Sequence, residues 1–221
     1  KDSAGNITNA LSNTTANLSN GAASGIFYSN NVCTAIITQT LIATGANTST
    51  VYYKDNVAEN ITLAAADNAA VLASGTLGVT AGPNRLQLSG NSSFRSGTCQ
   101  TVTVTAKDAN GATKAVLADT TIDLDDGAAD GIFYSDNVCT AIITQTVIST
   151  ASNNSVVYYK DLVAESITYS ATDSIANLTA STLNVTSGPD HLLLAGSGNF
   201  KSGTCQAYTV TTKDAANSTK A

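Results

Sequence analysis

One stretch of this chain is written twice. Residues 25–40 run Gly-Ile-Phe-Tyr-Ser-Asn-Asn-Val-Cys-Thr-Ala-Ile-Ile-Thr-Gln-Thr, and residues 131–146 repeat them with one change, Asn30 to Asp136. The offset is 131 − 25 = 106 residues, and it holds without a gap: Cys33 falls on Cys139, Tyr53 on Tyr159, Pro83 on Pro189 and Cys99 on Cys205. Pairing residues 25–106 with 131–212 leaves 51 of 82 positions identical, so both copies must adopt one fold, and the differing positions are those the fold tolerates. A period of 106 residues is the size of a whole domain and far longer than a solenoid turn. Lys1-Asp2 matches Lys107-Asp108, and Lys213-Asp214 matches both, so the same point of the repeat returns at each end. This leads us to expect an excerpt from, or a processed piece of, a longer array.

Composition narrows the class. Only 12% of the 221 residues are charged, 43% are hydrophobic, and Ser plus Thr make up 56 residues, a balance foreign to cytosolic enzymes and suited to a secreted protein. The net charge of −6 argues against nucleic acid, whose phosphates demand a basic face, and against an anionic membrane surface. No apolar run approaches the roughly 20 residues of a membrane helix, so no membrane insertion is expected in this segment.

The periodicity is that of strands. Thr38, Thr40 and Thr44 interleave with apolar neighbours, and Cys99 to Ala106 alternates strictly, placing Val102 and Val104 on one face. We expect strands near 14–19, 26–28, 35–42, 50–54, 58–65, 75–80, 85–89 and 99–106, and then 116–124, 131–135, 140–148, 155–160, 165–171 and 181–186. Residues 3–6 and 44–49 read as turns, the second closing a hairpin of residues 34–54. Asn110-Gly111 is a strong reverse-turn pair. Seven or eight short strands per repeat, with Thr and Ser facing water, predict an all-β fold of tandem sandwiches.

Three motifs carry a family resemblance: Thr101-Val-Thr-Val-Thr-Ala-Lys-Asp-Ala-Asn-Gly111, Gly-Ile-Phe-Tyr-Ser, and Tyr-Tyr-Lys-Asp. Together they resemble the bacterial immunoglobulin-like repeats of cell-surface adhesins, of the invasin and intimin type. The resemblance implies tandem immunoglobulin-like β-sandwich domains, an extracellular or cell-surface location and no catalytic residues. It also implies that each domain begins after a linker such as Gly82-Pro83. Residues 84–187 are then one complete repeat, 1–82 a repeat lacking its first strands, and 190–221 the first strands of a further repeat.

Four cysteines at repeat-locked positions imply disulfides in an oxidising compartment. Cys33–Cys99 with Cys139–Cys205 and Cys99–Cys139 alone are both open, since the loops they close differ by only about 0.4 kcal/mol in entropy. The boundaries implied by the resemblance favour Cys99–Cys139, leaving Cys33 and Cys205 to partners outside the chain.

Candidate chemistry is sparse. His191 is the single histidine and has Arg85 as its counterpart, and no Cys-x-x-Cys or His cluster suggests zinc, so no enzyme and no cofactor are expected. Asp123, Asp125, Asp126 and Asp130 offer the hard oxygens that calcium takes, but without the EF-hand spacing and with Asn17, Ser19, Asn20 and Ser24 in the first copy. Tyr52-Tyr53 and Tyr158-Tyr159 could stack on a sugar, yet adjacent strand residues face opposite ways, so one of each pair belongs to a core. Ten Asn-x-Ser/Thr sequons occur, about twice the chance number, and Asn47 and Asn153 form the one pair kept at the same repeat position. The reading this supports is a structural spacer in an extracellular fibre or adhesin stalk, its partners being neighbouring copies of itself head to tail. The alternative is an adhesin module that grips a ligand or surface glycan, which would call for an insertion or aromatic patch in one copy only.

Overall fold

The computed structural model describes residues 4–21, 24–127 and 130–219. Ser3, part of the turn expected at 3–6, lies outside them. Every element among the described residues is a strand, and the chain divides into two compact units: Lys1–Pro83 with Asp108–Ala112, and Asn84–Lys107 with Thr113–Ala221.

The first unit holds β1 (Thr14–Ser19), β2 (Ile26–Tyr28), β3 (Ile36–Ile37), β4 (Gln39–Ile42), β5 (Tyr52–Lys54), β6 (Asn60–Asp67) and β7 (Gly75–Thr80). They form a four-stranded sheet in the order β4-β1-β6-β7 and a three-stranded sheet β3-β2-β5. The second unit holds β8 (Arg85–Gly90), β9 (Ser93–Arg95), β10 (Gln100–Lys107), β11 (Thr120–Asp125), β12 (Ile132–Tyr134), β13 (Ile142–Ile143), β14 (Gln145–Ile148), β15 (Asn154–Lys160), β16 (Ser166–Asp173) and β17 (Ser181–Gly188). Its two five-stranded sheets run β13-β12-β15-β10-β8 and β14-β11-β16-β17-β9. A hairpin of β18 (His191–Gly196) and β19 (Tyr208–Lys213) completes this unit.

Alternation builds the core of the second unit. Val102, Val104 and Ala106 of β10 point inward from one sheet, and Ile122, Leu124, Ile167, Tyr169 and Ala171 meet them from the other. Leu86 and Leu88 of β8 and Ile148, Leu178 and Val185 close the same cluster. The architecture is all-β, an immunoglobulin-like sandwich in which each sheet hides one face and gives the other to Thr, Ser and Asn.

Three sequence expectations need correction. Residues 34–54 do not form a hairpin: β4 pairs with β1, whereas β5 pairs with β2, so the 44–49 turn carries the chain from one sheet to the other. The runs expected as single strands over 35–42 and 140–148 are each two, β3 and β13 in one sheet and β4 and β14 in the other, as the Thr38 and Thr144 carbonyls accept the Leu18 and Leu124 amides and the chain passes into the second sheet. Period-two patterning does not name the sheet a strand joins, and here each half alternates by itself, Ile143 turning inward in one and Thr146 and Ile148 in the other. The start of the 116–124 run is also irregular: Val116 is paired to the Ser152 carbonyl, and the regular strand begins at Thr120.

Candidate assembly interface

The cysteines divide into one bonded pair and two thiols. Cys99 lies just ahead of β10 and Cys139 between β12 and β13; their sulfurs are 1.99 Å apart with Cα atoms at 5.9 Å, joining strands of one sheet. Cys33 and Cys205 are free, the first half-buried and the second exposed. Cys33 nevertheless has φ = 51°, close to the 54° of the bonded Cys139, so the first unit holds its cysteine in the bridged conformation without a bridge.

The two units contain different parts of the same repeat. By the 106-residue offset β1–β7 correspond to β11–β17, and β18 and β19 correspond to β8 and β10. The first unit therefore has, among the described residues, no counterparts of β8, β9 and β10. Its inner face shows the consequence. Leu72 is 55% exposed where its counterpart Leu178 is 8% exposed, and a cavity of ≈ 650 Å³ opens beside it, lined in part by Ala10, Ile42 and Leu72. In the second unit the counterparts Val116, Ile148 and Leu178 are sealed in the core with Leu86 and Ala106.

The hairpin β18–β19 shows the reverse. Leu194 is 65% exposed against 5% for Leu88, and Val210 is 61% exposed against 0% for Val104.

The turns that follow β10 and β19 each have a buried aspartate at their head. In the first unit the Asp108 carboxylate accepts the Ala112 amide at 2.8 Å and the Ala58 amide at 3.4 Å. In the second, Asp214 accepts the Ser218 amide at 2.7 Å and the Ala164 amide at 3.3 Å. The Ala215 amide donates to Ser96 Oγ at 3.0 Å, and Arg95 and Asp190 pair at 3.4 Å. One carboxylate thus organises its own turn and ties it to the end of a sandwich, and the device recurs 106 residues later. Lys107 and Lys213 each add a 2.6 Å bond to Thr113 and Thr219.

The remaining candidate residues lie in separate places. Asp123 accepts from Gln145 Nε2 at 2.6 Å, Asp125 from the Gly127 amide at 3.2 Å, and Asp126 from the Tyr159 hydroxyl at 2.7 Å. Asp126 is buried while Asp130 is exposed, so the acidic run is spread over separate surroundings. No group of three or more His, Cys, Asp or Glu gathers at metal-binding range among the described residues. Asn47 and Asn153 are both exposed; the Asn153 carbonyl is held by the Ala106 amide while its side chain faces outward. Tyr159 is fully buried and Tyr158 is not, and Tyr52 is the more exposed of the first pair. His191 Nδ1 lies 3.1 Å from the Asp190 carboxylate on exposed β18.

Sequence reasoning missed why Gly-Ile-Phe-Tyr-Ser returns unchanged. A Cβ on Gly131 would overlap the Tyr159 hydroxyl and Asp126 Oδ2, and one on Gly25 would overlap the Tyr53 hydroxyl. Each glycine is the floor on which a tyrosine rests, half-buried at Tyr53 and fully buried at Tyr159. In the second unit that ring packs on Phe133 at 5.0 Å and Tyr169 at 4.5 Å. Burial first, then the hydrogen bond and charge of Asp126, push the Tyr159 hydroxyl far above its ordinary range. In the first unit Asn20 takes the place of Asp126, donating to the Tyr53 hydroxyl at 3.3 Å.

No protein family and no curated protein matches the sequence. Among solved structures, the chain is similar to the D00-D0 domains of intimin at 13% identity, over 76% of this chain and 84% of that one, with a TM-score of 0.36. It is similar to the S-layer protein rSbsC(31-844) at 12% identity, over 91% of this chain and 24% of that one, with a TM-score of 0.34. A β-glycosidase from Bacteroides vulgatus aligns at 11% identity and a TM-score of 0.38, over 74% of this chain, which spans only 21% of the glycosidase. The assignment of the fold rests on the strand order and core described above.

Proposed function

We propose that this chain is a structural repeat segment of a long extracellular fibre or adhesin stalk: a disulfide-stapled spacer whose partners are neighbouring copies of the same repeat, head to tail. The observation that carries the reading is the recurrence of the buried-aspartate turn. Asp108 and Asp214 fix equivalent turns on equivalent amides 106 residues apart, as a module meant to be strung in series would require. A core closed by Cys99–Cys139 suits an oxidising exterior, where small domains gain stability by limiting the freedom of the unfolded chain. Thr- and Ser-rich outer faces and exposed Asn47 and Asn153 fit a solvated surface that can carry attached sugar.

The two copies align without a gap, so neither has an inserted loop to grip a ligand. The alternative as a binding module therefore lacks an observation that favours it. Repeats in series convert chain length into reach. Deleting one 106-residue repeat from the native array shortens the fibres, seen by electron microscopy, by one unit and leaves attachment per fibre tip unchanged. Unchanged length, or normal length with lost attachment, would refute the spacer role.

A further inference from the structure

We propose that the stretch written twice, 25–40 and 131–146, is an interaction surface on which a second copy of this chain packs side to side through its own repeated stretch. This lateral contact is separate from the head-to-tail one and does not depend on it.

The two repeats differ over most of their surface and agree here. In residues 131–146 nine side chains are exposed, and all nine are identical at the corresponding places of 25–40, where they are exposed again. In residues 147–186 there are 21 exposed side chains, and only six match the first repeat. Burial does not account for the difference, since only exposed positions enter it. Hydrogen bonds hold two of the nine, Thr140 to Asp136 at 3.2 Å and Gln145 to Asp123 at 2.6 Å. They leave Ile132, Val138 and Ile142, all exposed, with no such task. An exposed apolar residue that the fold does not require is free to turn polar, as Val71 stands where the second repeat has Asn177. Val138 and Ile142 are 67% and 65% exposed, and Val32 and Ile36 are 68% and 65%. The two units contain different sets of strands, so the patch owes nothing to which strands flank it.

Strand pairing presents these side chains outward. Phe133 lies opposite Ile143 on one side and Tyr159 on the other, and all three turn toward the core. Their neighbours Ile132, Tyr134, Ile142 and Tyr158 therefore turn to the outer face. β13 is the edge strand of one sheet and β14 of the other. Val138 sits in the loop between β12 and β13, pinned by the Cys99–Cys139 bond and by Asp136, whose carboxylate accepts the Val138, Thr140 and Ala141 amides. Little ordering is left to lose on contact.

Two features point to a second copy as the occupant. None of the nine exposed residues is charged in either repeat, whereas the chain carries a net charge of −6. Equally acidic copies approach most closely where both are neutral. A ligand gripped once needs one site, and the other repeat would then drift as the rest of the surface has. A patch kept in each repeat calls for a partner that offers a matching surface repeat by repeat, which this chain does, and an isologous contact sets apolar patch on apolar patch. Stacking on a sugar would call for an open ring, yet Tyr134, central in its row, is buried. Nine residues a side fall short of the roughly 20–30 of a standard interface, so one pair of patches holds weakly and further repeats strengthen the hold.

The test uses the full chain with Cys33→Ser and Cys205→Ser, so that no disulfide between copies can form. Sedimentation equilibrium is expected to show reversible self-association, and Ile36→Asp with Ile142→Asp should weaken it at least tenfold. An unchanged melting curve and an intact Cys99–Cys139 bond check that this variant folds. Ile175→Asp is the control: Ile175 is equally exposed but stands where the first repeat has Ala69, and its loss should leave the equilibrium as it was. A photo-crosslinker at position 138, in an equal mixture of nitrogen-14 and nitrogen-15 copies, should link to residues 25–40 or 131–146, half of the links being of mixed label. A chain that stays monomeric up to about 1 mM, or an Ile175→Asp chain weakened as much as the double variant, would overturn the proposal. So would links of one label only, which would assign the patch to a contact within the chain. Fibres that keep their length when a repeat is deleted would refute the spacer and leave this pairing standing; monomers in solution with fibres that shorten would do the reverse.

Discussion

Replacing Tyr159 with phenylalanine removes one oxygen from the centre of the closed sandwich and leaves its ring in place. The ring contacts with Phe133, Tyr169 and Phe94 survive, so the loss isolates the hydroxyl's 2.7 Å bond to Asp126. A hydrogen bond to a charged acceptor is worth roughly 1.5–3 kcal/mol, and here the acceptor is itself buried. The expected loss is about 2 kcal/mol, which for a domain near 100 residues lowers the melting temperature by roughly 10 °C. Asp126→Asn should cost less, because an amide still bonds the hydroxyl, as Asn20 Nδ2 does by donating to the Tyr53 hydroxyl in the first copy. Calorimetry of the two single variants and the double variant gives a coupling energy on the order of 1–2 kcal/mol if the pair acts as a unit. A Tyr159→Phe transition within about 0.5 kcal/mol of the parent, or single losses that simply add, would refute this reasoning.

Other consequences come from the same geometry. Gly131→Ala should destabilise the second unit by about 1–3 kcal/mol, because its methyl must displace the Tyr159 hydroxyl; an unchanged melting curve would contradict that. Leu88→Ala should cost about 2–5 kcal/mol, whereas Leu194→Ala at the equivalent exposed place should stay within about 0.5 kcal/mol in the separate chain, as urea titration would show. Burial raises the Asp161 carboxyl above its ordinary value, opposed by the Val163 amide and reinforced by Glu165, Asp126 and Asp130. The folded state then holds that proton more tightly than the unfolded one, so this stability is present at low pH and is lost as pH rises through the raised value. Asp161→Asn should flatten that fall, and an unaltered pH profile would refute the assignment. Asp136 has the opposite sign: the Ala141, Thr140 and Val138 amides lower its value, so its contribution exists above its ordinary range and vanishes on strong acidification. Asp136→Asn should remove the acid sensitivity of this loop while keeping its cap, since Asn30 bonds the Thr34 amide at 3.0 Å in the first copy.

Much of the fold was legible because a half-buried strand announces itself. Thr101 to Ala106 alternates apolar and polar, and the structure buries Val102, Val104 and Ala106 and leaves Thr103 and Thr105 outside the core. Thr14–Ser19 and Gly75–Thr80 coincide with expectation residue for residue. Shortness alone did not hide a strand: Ile26–Tyr28, three residues long, falls where it was expected, whereas Ser93–Arg95 was missed. Ser93–Arg95 has no pattern to read and is ordered by lying parallel to β17. Sheet membership was equally hidden, because the side-chain period cannot say which sheet a strand joins, and so residues 34–54 read as a hairpin. At the interface, the open face of the first unit was visible only as an inference from linkers, and its cavity required coordinates. The tie between Gly131 and Tyr159 was out of reach, since residues 28 positions apart share no local signal.

The central claim is that repeats of this sequence stack in series as spacers, and the axial period of the native fibre by electron cryomicroscopy tests it most directly. Strands of eight residues give each sandwich roughly 26 Å of length, with turns and linker in addition. The account predicts a fibre whose axial rise corresponds to one 106-residue repeat, each sandwich containing one disulfide equivalent to Cys99–Cys139. Isolated monomers, or assemblies in which the sandwiches lie side by side without stacking along an axis, would contradict it.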